Sequence, residues 1–217
     1  MKIINLSETD SLLTQFISEM RDRQIQKDPM RFRRNLERCG EIFAYEISKT
    51  MDYVPHEVET PLGIASCNLI RDRVVLSTIL RAGLPLHQGL LNYFDMAENS
   101  FIAAYRKYGT GDDFHIQLEY ATHVCTADKV LVIADPMLAT GASMVLAYNK
   151  LMESGEPIHT HIVSLIASHD GIEYLSKHLP HKRVTFWTGA IDEEMTGKMY
   201  IVPGLGDAGD LAYGKKA

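Results

Sequence analysis

The stretch over residues 130–143 constrains the fold of this chain more than any other. It opens with an apolar run, Val130–Ala134, that is short enough to be a strand buried on both faces of a sheet. Asp135 and the proline after it end that strand, and small and hydroxyl-bearing residues at 140–143 form a turn before a helical pattern begins. The backbone N–H groups of such a turn and the positive end of the helix point to one place. The stretch therefore predicts a phosphate site.

Strands and helices alternate over residues 73–188. We predict strands at 73–80, 100–105, 115–120, 130–134, 159–167 and 183–188, the third of them at a sheet edge, and helices at 84–93, 141–153 and 170–178. This order predicts an α/β fold with a mostly parallel central sheet flanked by helices. Ligands of such sheets bind at the carboxyl ends of the strands. Arg81, Arg106 and Asp135 each follow a predicted strand directly, so we expect them at one edge.

The two ends of the chain do not follow the alternating pattern. We predict one domain over residues 1–217, with a core at about 73–188 and a small cap from about 1–50 and 189–217. The cap would contain helices at about 12–20, with Ser7 or Thr9 as its N-cap, and at about 30–50. We predict a two-stranded β-arm at about residues 53–66. Because such an arm is barely stable alone, we expect it to pack on a neighbouring element or a second subunit.

Charge limits the kinds of partner. The formal net charge is −6, which argues against nucleic acid or a membrane as the main partner. Residues 21–38 are a local exception, with seven basic residues against three acidic ones. We interpret this basic segment as a solvated helix face or a subunit contact rather than a nucleic-acid patch.

The cysteines and the N-terminal residues indicate a reducing compartment. Cys39, Cys67 and Cys125 are odd in number and far apart, which indicates neither a disulfide framework nor a metal site. The first residues do not resemble a signal peptide, and no apolar run reaches membrane-spanning length. We therefore expect a cytoplasmic protein.

The glycine-rich stretch at residues 200–214 is the second informative segment. It contains four glycines and one proline, and we expect neither a helix nor a long strand there. Glycine lets backbone approach a flat ligand closely, so we predict a structured binding loop. The phosphate turn, Asp135 and the two arginines, which clamp phosphates through a rigid fork of donors, together favour a sugar phosphate that carries a second phosphate group. His159 and His161 face the same side of a strand, but we interpret them as ordinary strand residues because no third metal ligand accompanies them.

Four segments carry a family resemblance. They read I-L-R-A-G-L at 79–84, Y-R at 105–106, D-P-M-L-A-T-G-A-S at 135–143 and Y-I-V-P-G-L-G-D-A-G-D at 200–210. In this order they resemble uracil phosphoribosyltransferases, whose phosphoribosyl-diphosphate (PRPP) loop and uracil loop match the last two. Ala142 stands where the family more often has a glycine.

The resemblance implies a type I phosphoribosyltransferase fold and a pentosyltransferase reaction, in which uracil and PRPP give UMP and diphosphate in pyrimidine salvage. It implies Arg81, Asp135 and Asp207 as catalytic residues. The implied PRPP-binding residues are Arg81, Arg106, Asp135, Pro136, Met137, Leu138, Ala139, Thr140, Gly141, Ala142, Ser143 and Asp207. The implied uracil-binding residues are Ile201, Gly206, Asp207 and Ala208.

The resemblance also implies partners and regulation. Mg²⁺ would be held through PRPP, the enzyme would form a homodimer or a larger homo-oligomer, and many bacterial members of the family are activated by GTP. From its two glycines and its place after Arg106, we predict that the segment 107–113 is a lid.

Three other functions remain open at this point. The first is a pyrimidine-responsive, RNA-binding regulator with a phosphoribosyltransferase fold, which the basic segment would support. The second is a non-catalytic PRPP sensor, which would need no base pocket. The third is a transferase acting on another base, such as a purine.

Overall fold

The computed structural model describes residues 1–108 and 114–215, and within them all side chains except those of 104–118. The main sheet runs in the spatial order β1 (Lys2–Asn5), β10 (Val184–Asp192), β9 (His159–Ser168), β7 (Val130–Ala134), β4 (Val74–Leu80), β5 (Glu98–Tyr108) and β6 (Phe114–Ala121), and β8 (Met137–Leu138) pairs beside β9. These strands pair in parallel, apart from the antiparallel pair β5 and β6. The prediction of an α/β fold with a mostly parallel sheet is confirmed.

Helices cover both faces of this sheet. They are α1 (Leu12–Arg21), α2 (Pro29–Ser48), α3 (Gly83–Leu91), α4 (Ala142–Met152), α5 (His169–His178) and α6 (Ala208–Tyr213), with short 3₁₀ turns at Leu6–Glu8 and Ile25–Lys27. The first three and α6 share one core with Val130 and Val132, whereas α4 and α5 pack with Leu131 and Ile133. Successive residues of β7 thus serve opposite cores, which explains its unbroken apolar sequence. No helix among the described residues has both the length and the apolar character to cross a membrane.

Two helix starts follow from side chains that bind backbone N–H groups. The carboxylate of Asp28 accepts from Met30 N at 3.0 Å and Arg31 N at 3.1 Å, and Pro29 occupies the first turn of α2. The N-cap of α1 is Ser11, whose hydroxyl accepts from Leu13 N at 3.2 Å. Our prediction of Ser7 or Thr9 for this cap is wrong, because the chain first makes the 3₁₀ turn at Leu6–Glu8.

Three segments differ from the sequence-based expectation. The cap was expected to include residues 1–50, but β1 pairs in parallel with β10 and so belongs to the main sheet. The strand expected at 100–105 runs on as far as Tyr108, because β5 continues past the end of β4 as a ribbon with β6. The third is the β-arm, which consists of β2 (Tyr53–Thr60) and β3 (Gly63–Ile70) and is therefore longer than the expected 53–66.

The β-arm projects from the domain. Hydrogen bonds at its base join Arg71 N to Asp52 O at 2.9 Å and Asp52 N to the Asp72 carboxylate at 2.8 Å. Along the arm, several large apolar side chains are exposed, including Leu62 at the tip, which is fully exposed, and Ile64, which is 72% exposed. An exposed apolar ribbon of this kind is typical of a surface that another protein chain covers.

Candidate active site

A cavity of about 620 Å³ lies at the carboxyl ends of the central strands. It is bounded by the end of β4, the segment between β7 and α4, and the C-terminal loop. Its lining includes Ile79, Leu80, Arg81, Asp135, Met137, Leu138, Ala139, Thr140, Gly141, Ser143, Met199, Tyr200, Ile201, Gly206, Asp207, Ala208 and Gly209. The phosphate turn and the glycine-rich loop, which lie about 60 residues apart in sequence, therefore line one cavity.

The phosphate turn is built around Gly141. This residue is the N-cap of α4 and has a φ of +77°, where a Cβ would lie 2.9 Å from the Gly171 carbonyl oxygen. Ser168 supports the turn from behind, because its hydroxyl donates to Ala139 O at 2.5 Å and accepts from Gly171 N at 2.9 Å. The turn therefore presents the N-terminus of α4 to the cavity, as a phosphate site requires.

Ala142 has a backbone conformation that any residue can adopt. It is the first helical residue of α4, and the left-handed backbone conformation of the turn lies at Gly141 instead. The alanine at this point therefore does not strain the turn.

Asp135 lies directly beneath the phosphate turn. Its backbone N–H donates to Val163 O at 3.0 Å, which ties the end of β7 to β9. The side chain is partly exposed to the cavity but densely surrounded by protein atoms, and this desolvation raises the pKa of its carboxyl to about 7, against a smaller opposing effect of the Met137 N–H. A carboxyl in this position can accept hydrogen bonds from a sugar.

Arg81 reaches across the cavity to the C-terminal loop. It follows β4 after a cis peptide bond between Leu80 and Arg81. Its Nη2 donates to Asp210 Oδ1 at 3.3 Å and to Gly214 O at 3.2 Å, and its buried Nε has no partner among the described residues. The guanidinium thus lies between the sheet edge and α6 with donor capacity to spare, which suits an anionic ligand.

The C-terminal loop has more regular structure than its glycines suggested. A short strand, β12 (Ile201–Val202), pairs with β11 (Glu194–Met195), and the loop ends in α6. We expected no helix in this stretch, which is wrong for residues 208–213. They contain one glycine, and the carboxylate of Asp207 caps the helix by accepting from Asp210 N at 2.9 Å.

Side chains from the basic segment at residues 21–38 hold this loop in place. Arg21 pairs with the Asp192 carboxylate and donates to Gly204 O at 2.9 Å. Arg33 donates to Ala212 O at 2.6 Å and lies over the ring of Tyr213, 5.8 Å from its centroid. The expectation of a solvated face or a subunit contact missed these interactions, because nothing local in the sequence connects residues so far apart.

The cavity collects most of the predicted site residues. Among the residues predicted to bind PRPP or uracil whose side chains are described, Pro136 and Ala142 are not part of its lining. Arg106 lies within β5 opposite Ile116 of β6, rather than after the strand, and its side chain is outside the described part of the chain. The predicted lid is mostly outside the described residues as well, since 109–113 are not included. Met199 and Tyr200 line the cavity without having been predicted, although Tyr200 begins the glycine-rich stretch.

His159 and His161 lie near the amino end of β9, at the side of the sheet opposite the first cavity. They line a smaller cavity of about 330 Å³. The His159 ring bonds with the Thr185 hydroxyl at 2.9 Å, and His161 Nδ1 accepts from Trp187 Nε1 at 3.0 Å. Burial lowers the pKa of His161 to about 3, so the ring is neutral. Within the residues that the structure covers, no group of three metal-ligating side chains is present.

Comparisons with known proteins agree with this geometry. The family profile described as uracil phosphoribosyltransferase matches residues 7–215. A protein of Porphyromonas gingivalis named uracil phosphoribosyltransferase is 55% identical over the full length of both chains, and one of Methanothermobacter thermautotrophicus is 41% identical over 87% of this chain and 86% of its own.

Solved structures give the same result for the fold. A structure of a protein from Aquifex aeolicus matches with a TM-score of 0.86 and 29% identity over 98% of each chain. A hypoxanthine phosphoribosyltransferase from Staphylococcus aureus matches with a TM-score of 0.51 and 13% identity over 74% of each chain, which supports the fold alone. With a family profile that spans nearly the whole chain and relatives similar along their full length, this chain belongs to the uracil phosphoribosyltransferase family.

Proposed function

We propose that this protein transfers the phosphoribosyl group of PRPP to uracil, giving UMP and diphosphate. The observation that carries the proposal is that a phosphate-binding turn, a strand-end arginine and a glycine-rich loop line one cavity. Each part suits a different piece of the reaction: the 5′-phosphate, the leaving diphosphate and the flat base.

The turn at 139–143 would bind the 5′-phosphate through its N–H groups and the hydroxyls of Thr140 and Ser143. Asp135 would accept hydrogen bonds from the ribose hydroxyls. Arg81 would neutralise the diphosphate, because its guanidinium faces the cavity and matches phosphate oxygens with paired donors. Arg106 is proposed as a second cation for the same group from its sequence motif alone.

The loop at 201–208 would recognise uracil. Ile201 would pack on the base, and backbone groups of Gly206, Asp207 and Ala208 would pair with its alternating N–H and C=O edge. Cytosine presents an amine where uracil presents a carbonyl, so a donor in the loop would meet another donor. A buried polar group left unpaired is costly, which makes such a loop selective.

The reaction replaces one bond at the ribose C1 with another. The bond from C1 to the diphosphate oxygen breaks, the bond from C1 to uracil N1 forms, and N1 releases its proton. As diphosphate departs, C1 becomes cation-like. The protein would act by holding base and sugar in line, by neutralising the leaving charge with Arg81, and by excluding water. Asp207, at the junction of loop and helix, would lie near both reactants.

Mg²⁺ would accompany PRPP, and the cavity offers a donor set that fits this ion. Asp135 and Asp207 are two carboxylates that line it. Mg²⁺ commonly takes one or two carboxylates together with substrate phosphates and water. Bound there, it would add positive charge at the diphosphate.

Assembly and regulation extend the same proposal. The exposed apolar β-arm supports a homodimer or a larger homo-oligomer in which a second copy covers the arm. Activation by GTP is an expectation from the family resemblance. A cytoplasmic location is an expectation from the sequence. Sedimentation of the purified protein and an assay with and without GTP would test the first two.

The RNA-binding alternative loses its main support. Six of the seven basic residues in the segment 21–38 donate to partners within the chain, namely Arg21, Lys27, Arg31, Arg33, Arg34 and Arg38. Asp192, Glu19 and Glu37 neutralise three of these cations and Arg33 binds the backbone of the C-terminal loop, so less net positive charge remains for RNA phosphates.

Separate incubations of the protein with PRPP, Mg²⁺ and one nucleobase at a time test the proposal. We expect UMP and diphosphate from uracil, and far less product from cytosine, hypoxanthine, guanine or adenine. Product from another base without product from uracil would overturn the assignment.

A further inference from the structure

We infer that Arg21 is a positioning residue for the base half of the site, and that it acts by clamping Gly204 together with Asp192. The inference rests on the proposed function and extends it to residues outside the cavity. It concerns three groups that lie far apart in sequence and meet at one point.

The clamp satisfies both backbone groups of one glycine. Arg21 and Asp192 form a bidentate pair, with Nη1 2.8 Å from Oδ2 and Nη2 2.8 Å from Oδ1. Arg21 Nη1 also donates to Gly204 O at 2.9 Å, and Gly204 N donates to Asp192 Oδ2 at 2.9 Å. The Asp192 side chain is only 7% exposed, so this network is shielded from water on the carboxylate side.

Gly204 is the residue on which the shape of the loop depends. Its φ is +53°, and a Cβ there would lie 2.1 Å from the Ile201 carbonyl oxygen, so the chain folds back tightly on the residue proposed to pack on uracil. Leu205 is buried directly after it, and the next residues line the cavity. A shift at Gly204 would therefore move the base-recognition groups together.

Arg21, Asp192 and Gly204 are not among the residues that line the cavity. The clamp would therefore not touch uracil or PRPP, and its effect would pass through the loop. The phosphate turn stands on different supports, Ser168 and Gly171, so loss of the clamp should affect the two substrates unequally.

The chemistry of the clamp demands arginine. One guanidinium makes two parallel bonds to a carboxylate and a third to a carbonyl oxygen. A lysine ammonium is a point charge on a flexible stem and cannot hold these acceptors in the same fixed geometry. Lysine should keep the charge balance with Asp192 while losing part of the geometric control.

The test compares Arg21→Gln, Arg21→Lys and the matched control Arg34→Gln, which removes a charge from the same segment at a surface pair with Glu37. We expect Arg21→Gln to raise the KM for uracil about tenfold or more, corresponding to about 1.4 kcal/mol, while the KM for PRPP changes by less than about twofold. Arg21→Lys should lie between Arg21→Gln and the unmodified protein, and Arg34→Gln should match the unmodified protein. Unchanged or equally changed KM values for both substrates in Arg21→Gln would overturn the inference.

Amide hydrogen exchange at Gly204 supplies a readout that does not depend on activity. This amide should exchange slowly in the unmodified protein and faster in Arg21→Gln, whereas the amides of β7 should not change. If Arg21→Gln does not fold, Arg21→Lys takes its place, with a smaller change expected in the same direction at both the KM for uracil and the Gly204 amide. An unmodified protein that makes no UMP while Gly204 shows this exchange pattern would refute the proposed reaction and leave the clamp standing. Equal exchange at Gly204 in all variants would refute the clamp.

Discussion

The two halves of the cavity are held by contacts that span very different distances along the sequence. The phosphate turn at 135–143 follows a buried strand and opens a helix, and its supports, Ser168 and Gly171, lie about 30 residues away. The base loop at 201–213 is held by Arg21 and Arg33, which are 183 and 179 residues from their partners Gly204 and Ala212.

This difference separates binding of the phosphate, a group that many ligands share, from recognition of one particular base. The phosphate side is built by a strand, a turn and a helix, which any α/β fold with a parallel sheet can provide. The base side depends on the two ends of the chain meeting. Changes to the phosphate turn should abolish PRPP binding outright. Changes to the base loop should alter which base is accepted and how tightly it binds.

Gly141→Val should give the largest effect. A β-branched residue at a φ of +77° is strongly disfavoured, and its Cβ would press on Gly171 O. Because the turn must move, we expect kcat/KM for PRPP to fall by about 100-fold or more. Initial-rate measurements check this, with Ala142→Gly as the control at the next position. That variant should keep nearly full activity, and a strong loss in it would contradict the helical role of Ala142.

Asp207→Asn tests the junction between loop and helix. Asparagine is as good an N-cap as aspartate, so α6 and the melting temperature should be preserved. Loss of the negative charge beside the reactants should lower kcat about 10- to 100-fold, the range for a hydrogen bond to a charged group. Parallel kinetics and thermal melts measure the two effects. Full activity in a normally folded variant would remove Asp207 from the site.

The pH dependence should report on Asp135. Since burial raises the pKa of its carboxyl to about 7, kcat/KM for PRPP should rise with pH up to about 7 and stay level above it, if the carboxylate is the form that binds ribose. Asp135→Asn should be much less active and should lack this rise.

Stability should show the opposite trend with pH. The folded pKa lies above the ordinary value of 3.8, so between these values the folded chain keeps a proton that the unfolded chain has released. The contribution of Asp135 to the free energy of unfolding therefore decreases as pH rises through this window, by at most about 1.4 kcal/mol per pH unit. Denaturant titrations from pH 5 to 8 should show this decrease in the unmodified protein and a flatter profile in Asp135→Asn. Identical profiles would mean that the carboxyl is charged throughout.

Arg33→Gln should give the smallest effect. The change removes a hydrogen bond to Ala212 O and the contact with the Tyr213 ring, but Asp207 still caps α6. We expect a rise of about two- to fivefold in the KM for uracil, corresponding to a net contribution of about 0.5–1 kcal/mol. A change larger than that of Arg21→Gln would show that α6, rather than Gly204, is the main support of the loop.

The parts of the fold that sequence could predict are those fixed by neighbouring residues. The strand Val130–Ala134 lies where its apolar run indicated, because a strand buried on both faces has no other composition. The helix expected at about 30–50 begins at Pro29, because Asp28 and Pro29 each suit a different position of a helix start. The motifs at 135–143 and 200–210 were also recognisable, since glycine and acid spacing is a local property.

The parts that could not be predicted depend on the assembled fold. β1 is a four-residue strand at an edge, too short for a periodic pattern, and it is defined only by β10 beside it. The pairing of Arg21 with Asp192 leaves no trace in the residues around either of them. From the sequence, the basic segment could be interpreted only by its charge. Its role in holding the base loop depends on the carbonyl groups of Gly204 and Ala212, to which it donates.

The pairing of β1 with β10 has a consequence for how the chain is made. Lys2 to Asn5 leave the ribosome 183 residues ahead of their partners, Thr185 to Thr188. The nascent chain can therefore assemble β4, β7, β9 and the helices between them while its first strand still waits for a neighbour. Because the sheet edge and the Gly204 clamp both need late residues, a chain interrupted before residue 192 would carry the phosphate turn without the base loop.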